Sequence, residues 1–154
     1  EVKDKRAVVL GTGGAAKAVV TYLQDKGVKE LFVVSRNKMK NNWSGEVNLI
    51  DYSDLQSLEG DLLINTTPVG MYPNVGKSPV GENVIKRFEA IVDLIYNPRE
   101  TELLRLAKLN GKKSCDGLYM LVGQAVKAQE IWQDMNIDNK VTNIIYEELN
   151  GEFN

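Results

Sequence analysis

The run Val8-Val9-Leu10-Gly11-Thr12-Gly13-Gly14-Ala15-Ala16-Lys17-Ala18 constrains this chain more than any other stretch. An apolar run ends in a glycine cluster, and a helix-forming run follows at once. That order predicts a strand, a tight turn and a helix start. The spacing Gly11-x-Gly13-x-x-Ala16 fits a dinucleotide fingerprint with Ala in the third place. Gly11 allows the tight turn, Gly13 lets the backbone approach a pyrophosphate, and Ala16 lets helix and strand pack closely. The helix N-terminus offers unpaired N–H groups and the positive end of a dipole to the anion. Taken alone, the same spacing also suits an ordinary glycine-rich turn.

The 154 residues suit one domain with a sizeable core. A net charge of -2 makes no case for nucleic acid. No apolar run approaches the roughly 18 residues that a membrane span needs. No signal peptide is visible and Cys115 stands alone, so a reduced cytoplasmic setting is expected. With no His and one Cys, a His-dependent triad, a His-ligated metal and a Cys cluster are all excluded from this sequence. The chain starts at Glu1 rather than Met and enters a strand almost directly, which suggests a domain cut from something longer.

Ala7 to Leu10 is the first expected strand, and its continuous apolar character suits a parallel sheet covered on both faces. Ala15 to Asp25 reads as a helix, with Ala16, Val19, Val20 and Leu23 on one face. Leu31 to Val34 is a second strand and completes a βαβ unit. It ends in Ser35-Arg36-Asn37-Lys38-Met39-Lys40, where a carboxylate would bond the ribose 2′-hydroxyl of NAD. Three cations stand there instead, which favours a 2′-phosphate and hence NADP, with Arg36 offering its planar donor fork. Without the glycine turn, the same run reads equally well as a solvated charge cluster.

Further strands are expected at Asn48–Ile50, Asp61–Asn65, Ala90–Ile95 and Lys113–Asp116. A helical turn is expected over 54–58, and 72–81 reads as irregular loop. A helix capped by Thr101 spans Glu102 to Leu109. A long helix runs from Leu118 to Met135, with Leu121, Val122, Ala125, Ala128, Ile131 and Trp132 along an apolar face. A last helix spans Val141 to Leu149, with Val141, Ile144, Ile145 and Leu149 on one face. Alternating strands and helices predict an α/β fold: a doubly wound, mainly parallel, Rossmann-like sheet in the order 3-2-1-4-5-6, with helices on both faces. Residues 1–154 read as a single domain with a helical tail over 134–154. The loop Thr66 to Met71, at the end of the strand beside strand one, lies next to the expected crevice. Locally, however, Thr66 to Met71 could be a plain Pro/Gly loop, Tyr96 a half-buried aromatic and Gln124 an exposed helical residue.

Five motifs occur together and in order: Gly11 to Ala18, Ser35 to Asn37, Ile64 to Met71, Asp93 to Pro98, and Asp116 to Ala125 with Trp132 beyond. Together they closely resemble the C-terminal cofactor domain of shikimate dehydrogenase, from about Arg6 to Trp132. The glycine turn is generic to NAD(P) enzymes, whereas the Ile64 to Met71 and Asp116 to Ala125 runs are far more specific. The resemblance implies NADP-dependent reduction of 3-dehydroshikimate to shikimate, in aromatic amino acid synthesis. It implies that Gly11, Thr12, Gly13, Gly14 and Ala15 hold the pyrophosphate, and that Ser35, Arg36, Asn37 and Lys40 surround the 2′-phosphate. The family often shows Asn-Arg-Thr there, so Ser35 and Asn37 are departures and Arg36 is kept. By the same resemblance Thr66 and Thr67 approach the cofactor, Leu94 and Gly117 lie against its nicotinamide end, Met120 also binds the cofactor, and Tyr96 and Gln124 reach the substrate.

The family places its catalytic Lys and a partner Asp in an N-terminal domain ahead of the glycine turn. No catalytic residue and no metal ligand is therefore assigned here, and the chain alone is expected to be nearly inactive. Its small-molecule substrate is expected to bind together with that domain. The apolar face of the last helix is expected to pack on the sheet domain or to pair two chains. Two other readings stand beside this one: a quinate/shikimate enzyme's cofactor domain, and a stand-alone nucleotide-binding or interaction module with a Rossmann core.

Overall fold

The computed structural model describes residues 1–37, 43 and 47–152. Six strands form one parallel sheet: β1 (Arg6–Leu10), β2 (Glu30–Val34), β3 (Asn48–Ile50), β4 (Gly60–Asn65), β5 (Phe88–Asp93) and β6 (Lys113–Cys115). Their order is β3-β2-β1-β4-β5-β6, as expected. The register lines up the strand ends: Leu10 pairs with Val34 and Asn65, and Asn65 with Asp93. Reversal of strand order beside β1 opens a crevice at these ends, where Rossmann-like sheets bind ligands.

Alternation along β1 divides the core. Ala7 and Val9 pack with Ala16, Val20 and Leu23 of α1 (Gly14–Asp25). Val8 and Leu10 face the other layer, built from Leu55 of α2 (Tyr52–Leu55), Val84 and Ile85 of α3 (Glu82–Ile85), and Leu103, Leu104 and Ala107 of α4 (Glu102–Leu109). Burying each Val or Leu contributes about 1.5–3 kcal/mol relative to exposure, so both faces of the sheet are firmly held.

Several boundaries differ from expectation, each for a local reason. The helical turn near Asp54 starts earlier, at Tyr52, because the Asp51 side chain accepts the N–H groups of Ser53 and Asp54 and Asp54 returns a bond to the Asp51 N–H. The short helix α3 was not expected. β5 stops at Asp93 rather than Ile95, since the Asp93 carboxylate accepts the Ile95 N–H at 3.2 Å and turns the chain out of the sheet. Helix α5 (Leu118–Gln133) ends where Asp134 enters the left-handed region at φ 48.

The expected apolar face of α5 is a larger departure. Leu118 and Val122 are buried, but Ile131 and Trp132 are 71% and 76% exposed. Helix α6 (Asn139–Glu152) packs chiefly on α5. Its contacts run through Tyr146, edge-on to Tyr119 at 5.4 Å, and Asn143, whose side-chain oxygen accepts the Tyr119 hydroxyl. Thr142 is buried and Ile145 and Leu149 are half-buried, while Val141 and Ile144 stay exposed, so only part of the face that apolar spacing indicates is covered. No helix among the described residues is long and apolar enough to cross a membrane.

Candidate functional site

The glycine turn divides the crevice in two. On one side is a cleft of about 270 Å³, lined by Gly11, Thr12, Gly13, Ser35, Arg36 and Tyr52, among others. On the other is a more apolar cavity of about 410 Å³, lined by Ala15, Met71, Tyr72, Leu94, Tyr96, Asn97 and Met120, among others. Thr66, Thr67 and Pro68 border both. A charged groove of similar volume at the opposite, N-terminal end of the sheet lies away from this crevice; within it Arg6 pairs with Glu30, and Asp61 is held by Lys5.

The three glycines of the turn have different tasks. Gly11 has φ +108, and a Cβ there would sit 2.8 Å from Thr66 Oγ1. Its requirement for glycine is therefore internal to the fold. It lets β1 leave the sheet beneath Thr66, whose hydroxyl donates to the Leu10 carbonyl at 2.6 Å. Gly13 and Gly14 are exposed, and a Cβ on either would meet nothing within 4 Å. Gly13 is the N-cap of α1 and supplies no side-chain cap. The N–H groups of the first turn are thus left open toward the crevice, with the positive end of the helix dipole behind them.

Beyond β2, Ser35 is buried, and its hydroxyl accepts the Asn37 N–H at 3.0 Å. This bond turns the chain so that Arg36 stands exposed at the cleft mouth. Tyr52 lies on the same cleft. Burial pushes its phenol above the usual value, while the charge of Arg36 acts in the opposite direction. Lys40 and Lys38 lie outside the described residues.

The floor of the larger cavity is set by a buried polar network. Asn65 and Asp93 sit opposite each other at the ends of β4 and β5, both fully buried. The Asn65 amide donates to Asp93 Oδ1 at 2.9 Å, and Asn65 Oδ1 accepts both the Thr67 N–H and the Thr67 hydroxyl. Asp93 also accepts from Ile95 N–H and from the Thr101 hydroxyl at 2.7 Å. One carboxylate therefore fixes the loop after β4, the segment after β5 and the N-cap of α4. Burial raises the Asp93 carboxyl above the usual range, against the pull of these three donors.

Gly117 is not a wall residue but a contact. A Cβ there would fall 2.0 Å from the Leu94 carbonyl oxygen. Its φ is an ordinary -85, so glycine is needed for space alone. This approach brings the start of α5, and with it Met120, up to the cavity. Tyr96 lines that cavity, whereas Gln124 lies on an exposed part of α5 one turn beyond Met120 and outside the lining. Of the residues expected from sequence, Gly11 to Ala15, Ser35, Arg36, Thr66, Thr67, Leu94, Tyr96 and Met120 meet along one crevice, with Asn37 adjoining Ser35. Sequence reasoning gave no role to Tyr52, Asn65 or Asp93. For the last two a signal existed: a polar residue ending each of two apolar strands that a parallel sheet buries.

No protein-family model matches the chain. It is 50% identical over 155 residues to the shikimate dehydrogenase (NADP(+)) of Clostridium beijerinckii, an alignment covering 99% of this chain and 57% of that protein. Among solved structures, shikimate dehydrogenase 1 from Peptoclostridium difficile superposes with a TM-score of 0.91 at 56% identity, covering 99% of this chain and 56% of that one. The shikimate 5-dehydrogenase of Thermus thermophilus, solved with NADP(H) and shikimate, is 30% identical with a TM-score of 0.79, over 96% of this chain and 56% of that one. The chain therefore spans a little over half the length of the relatives it matches.

Proposed function

We infer that this chain, homologous over nearly its whole length to one portion of the shikimate dehydrogenases, is the part that binds NADP, in the crevice along the ends of β1, β2, β4 and β5. The observation that carries this reading is the open ground at Gly13 and Gly14, in front of the uncapped N-terminus of α1 and between two clefts. The first turn of α1 would hold the diphosphate through backbone N–H groups. Arg36 would meet the 2′-phosphate with a charge-assisted fork in the smaller cleft. The nicotinamide half would then occupy the apolar cavity between Thr66, Leu94 and Met120.

When bound, NADP supplies the hydride donor or acceptor for oxidoreduction at a CH–OH group. The chain's own residues place and shield that chemistry: Leu94, Ile95, Met71 and Met120 exclude water, and Tyr96 and Asn97 present polar atoms at the rim. Reduction of a ketone also needs a group to protonate the developing alkoxide. Among the described residues, those lining the cavity include no lysine and no carboxylate. We assign that group, and most of the recognition of shikimate and 3-dehydroshikimate, to the portion of the relatives' length that this chain does not span.

Gly13→Val tests the diphosphate seat. The site is exposed, its φ of -79 and ψ of -171 suit valine, and nothing lies within 4 Å of the added Cβ. Stability in urea is expected to fall by no more than about 1 kcal/mol, the cost of placing valine at an N-cap. NADP affinity is expected to fall at least roughly tenfold, because the side chain fills the anion's place beside the helix N-terminus. Unchanged NADP affinity would remove the diphosphate from this turn.

A further inference from the structure

We propose that Arg99, acting through Asp116, is a positioning residue that sets the nicotinamide end of the crevice; the inference rests on the NADP reading above. The larger cavity has two walls from distant parts of the chain. One is the segment Leu94 to Asn97 after β5, and the other is Met120 in the first turn of α5. The β5–β6 ladder ends at Val92 and Cys115, just before both walls, so other contacts hold the walls themselves. The Gly117 N–H donates to the Ile95 carbonyl at 3.1 Å, and the Cα of Gly117 rests against Leu94. The Arg99 guanidinium donates twice to Asp116 Oδ2, from Nε at 3.0 Å and Nη2 at 2.7 Å. Asp116 Oδ1 meanwhile accepts the N–H of Leu118, the first residue of α5, at 2.9 Å. One carboxylate thus ties a cation two residues beyond one wall to the helix start that carries the other.

The burial of this pair sets it apart. Arg99 and Asp116 are 21% and 19% exposed, and in every other ion pair between described residues at least one side chain is more than a quarter exposed. Partial exclusion of water and two donors on one oxygen make it stiffer than a surface pair. Neither residue lines the cavity, so the pair acts on a ligand only by holding Met120 and Tyr96 at a fixed separation. The adenosine half of the crevice, around Arg36 and Tyr52, is built by other elements and does not depend on it.

The test compares NADP with adenosine 2′,5′-bisphosphate, which lacks the nicotinamide half, by calorimetry on the parent chain, Arg99→Ala and Arg99→Lys. The Met120 methyl signal in the ligand-free proteins is followed by NMR. In Arg99→Ala the Met120 methyl is expected to shift, and NADP to bind about five- to tenfold more weakly, while the bisphosphate stays within about twofold. Arg99→Lys is expected to recover part of the loss, since an ammonium still pairs with Asp116. Equal weakening of both ligands, or unchanged NADP affinity, overturns the positioning role. A parent chain that binds neither ligand overturns the nucleotide reading instead. In that case an unmoved Met120 methyl in Arg99→Ala separately overturns the claim that Arg99 sets the start of α5.

Discussion

Gly117→Ala is expected to destabilise the chain by about 3 kcal/mol and to weaken NADP binding at least tenfold. The backbone at Gly117 tolerates alanine, so the effect is purely steric. The new Cβ would lie 2.0 Å from the Leu94 oxygen and 2.5 Å from its carbonyl carbon, where normal contact begins near 3.4 Å. Neither partner yields cheaply. Leu94 N–H donates to the Asn65 carbonyl, and Gly117 N–H to the Ile95 carbonyl. Relief therefore comes by swinging the start of α5 outward, which breaks the Gly117 bond and carries Met120 away from the cavity. Gly123→Ala serves as the internal control. It lies on the same helix with nothing within 4 Å of its added Cβ, and should stabilise by roughly 0.5–1 kcal/mol. Urea unfolding of both variants checks the pair. A Gly117→Ala protein as stable as the parent would mean that α5 does not approach Leu94 this closely.

Asp93→Ala is expected to cost roughly 3–5 kcal/mol, because it leaves three buried donors without an acceptor. These are the Asn65 amide, the Ile95 N–H and the Thr101 hydroxyl. Asp93→Asn should be far milder. Its oxygen can still accept from Asn65 and Ile95, and its amide can donate to the Thr101 oxygen once that hydroxyl rotates away. The two variants also differ from the parent in pH dependence. Burial raises the folded carboxyl above its ordinary value, so between the two values the folded state binds more proton than the unfolded chain. The Asp93 contribution to stability therefore falls as pH rises through that window and is constant above it. Asp93→Asn removes the slope, so its stability relative to the parent should improve as pH rises through the same window. Urea midpoints collected across that range measure it, and parallel curves for parent and variant would contradict the assignment.

Much of the architecture was legible in the residues because local signals agreed. The apolar strands, the glycine turn and the Thr101 cap all indicate the same parallel sheet, and its order follows. Arg36 stood out because a cation at this position after β2 suits a 2′-phosphate, and the structure places it, exposed, on the smaller cleft. Tyr52 was not, since it reaches the cleft from a four-residue helix whose start depends on the side chain of Asp51. Gly117 stood out as a residue of the crevice, but its physical reason did not, because contact with Leu94 depends on two segments more than twenty residues apart. Helix α5 shows the limit of periodicity. Spacing marks Ile131 and Trp132 as apolar-face residues but does not say what covers them, and within this chain they remain exposed.

The most direct measurement is a calorimetric titration of the 154-residue chain with NADP and with NAD at one fixed salt concentration, repeated with Arg36→Ala. The expected result is tighter binding of NADP than of NAD by the parent. The substitution should then cost roughly 1.5–3 kcal/mol for NADP, the worth of a hydrogen bond to a charged group, and nothing for NAD. Failure of the parent to bind either nucleotide, or equal losses for both in Arg36→Ala, would contradict the account.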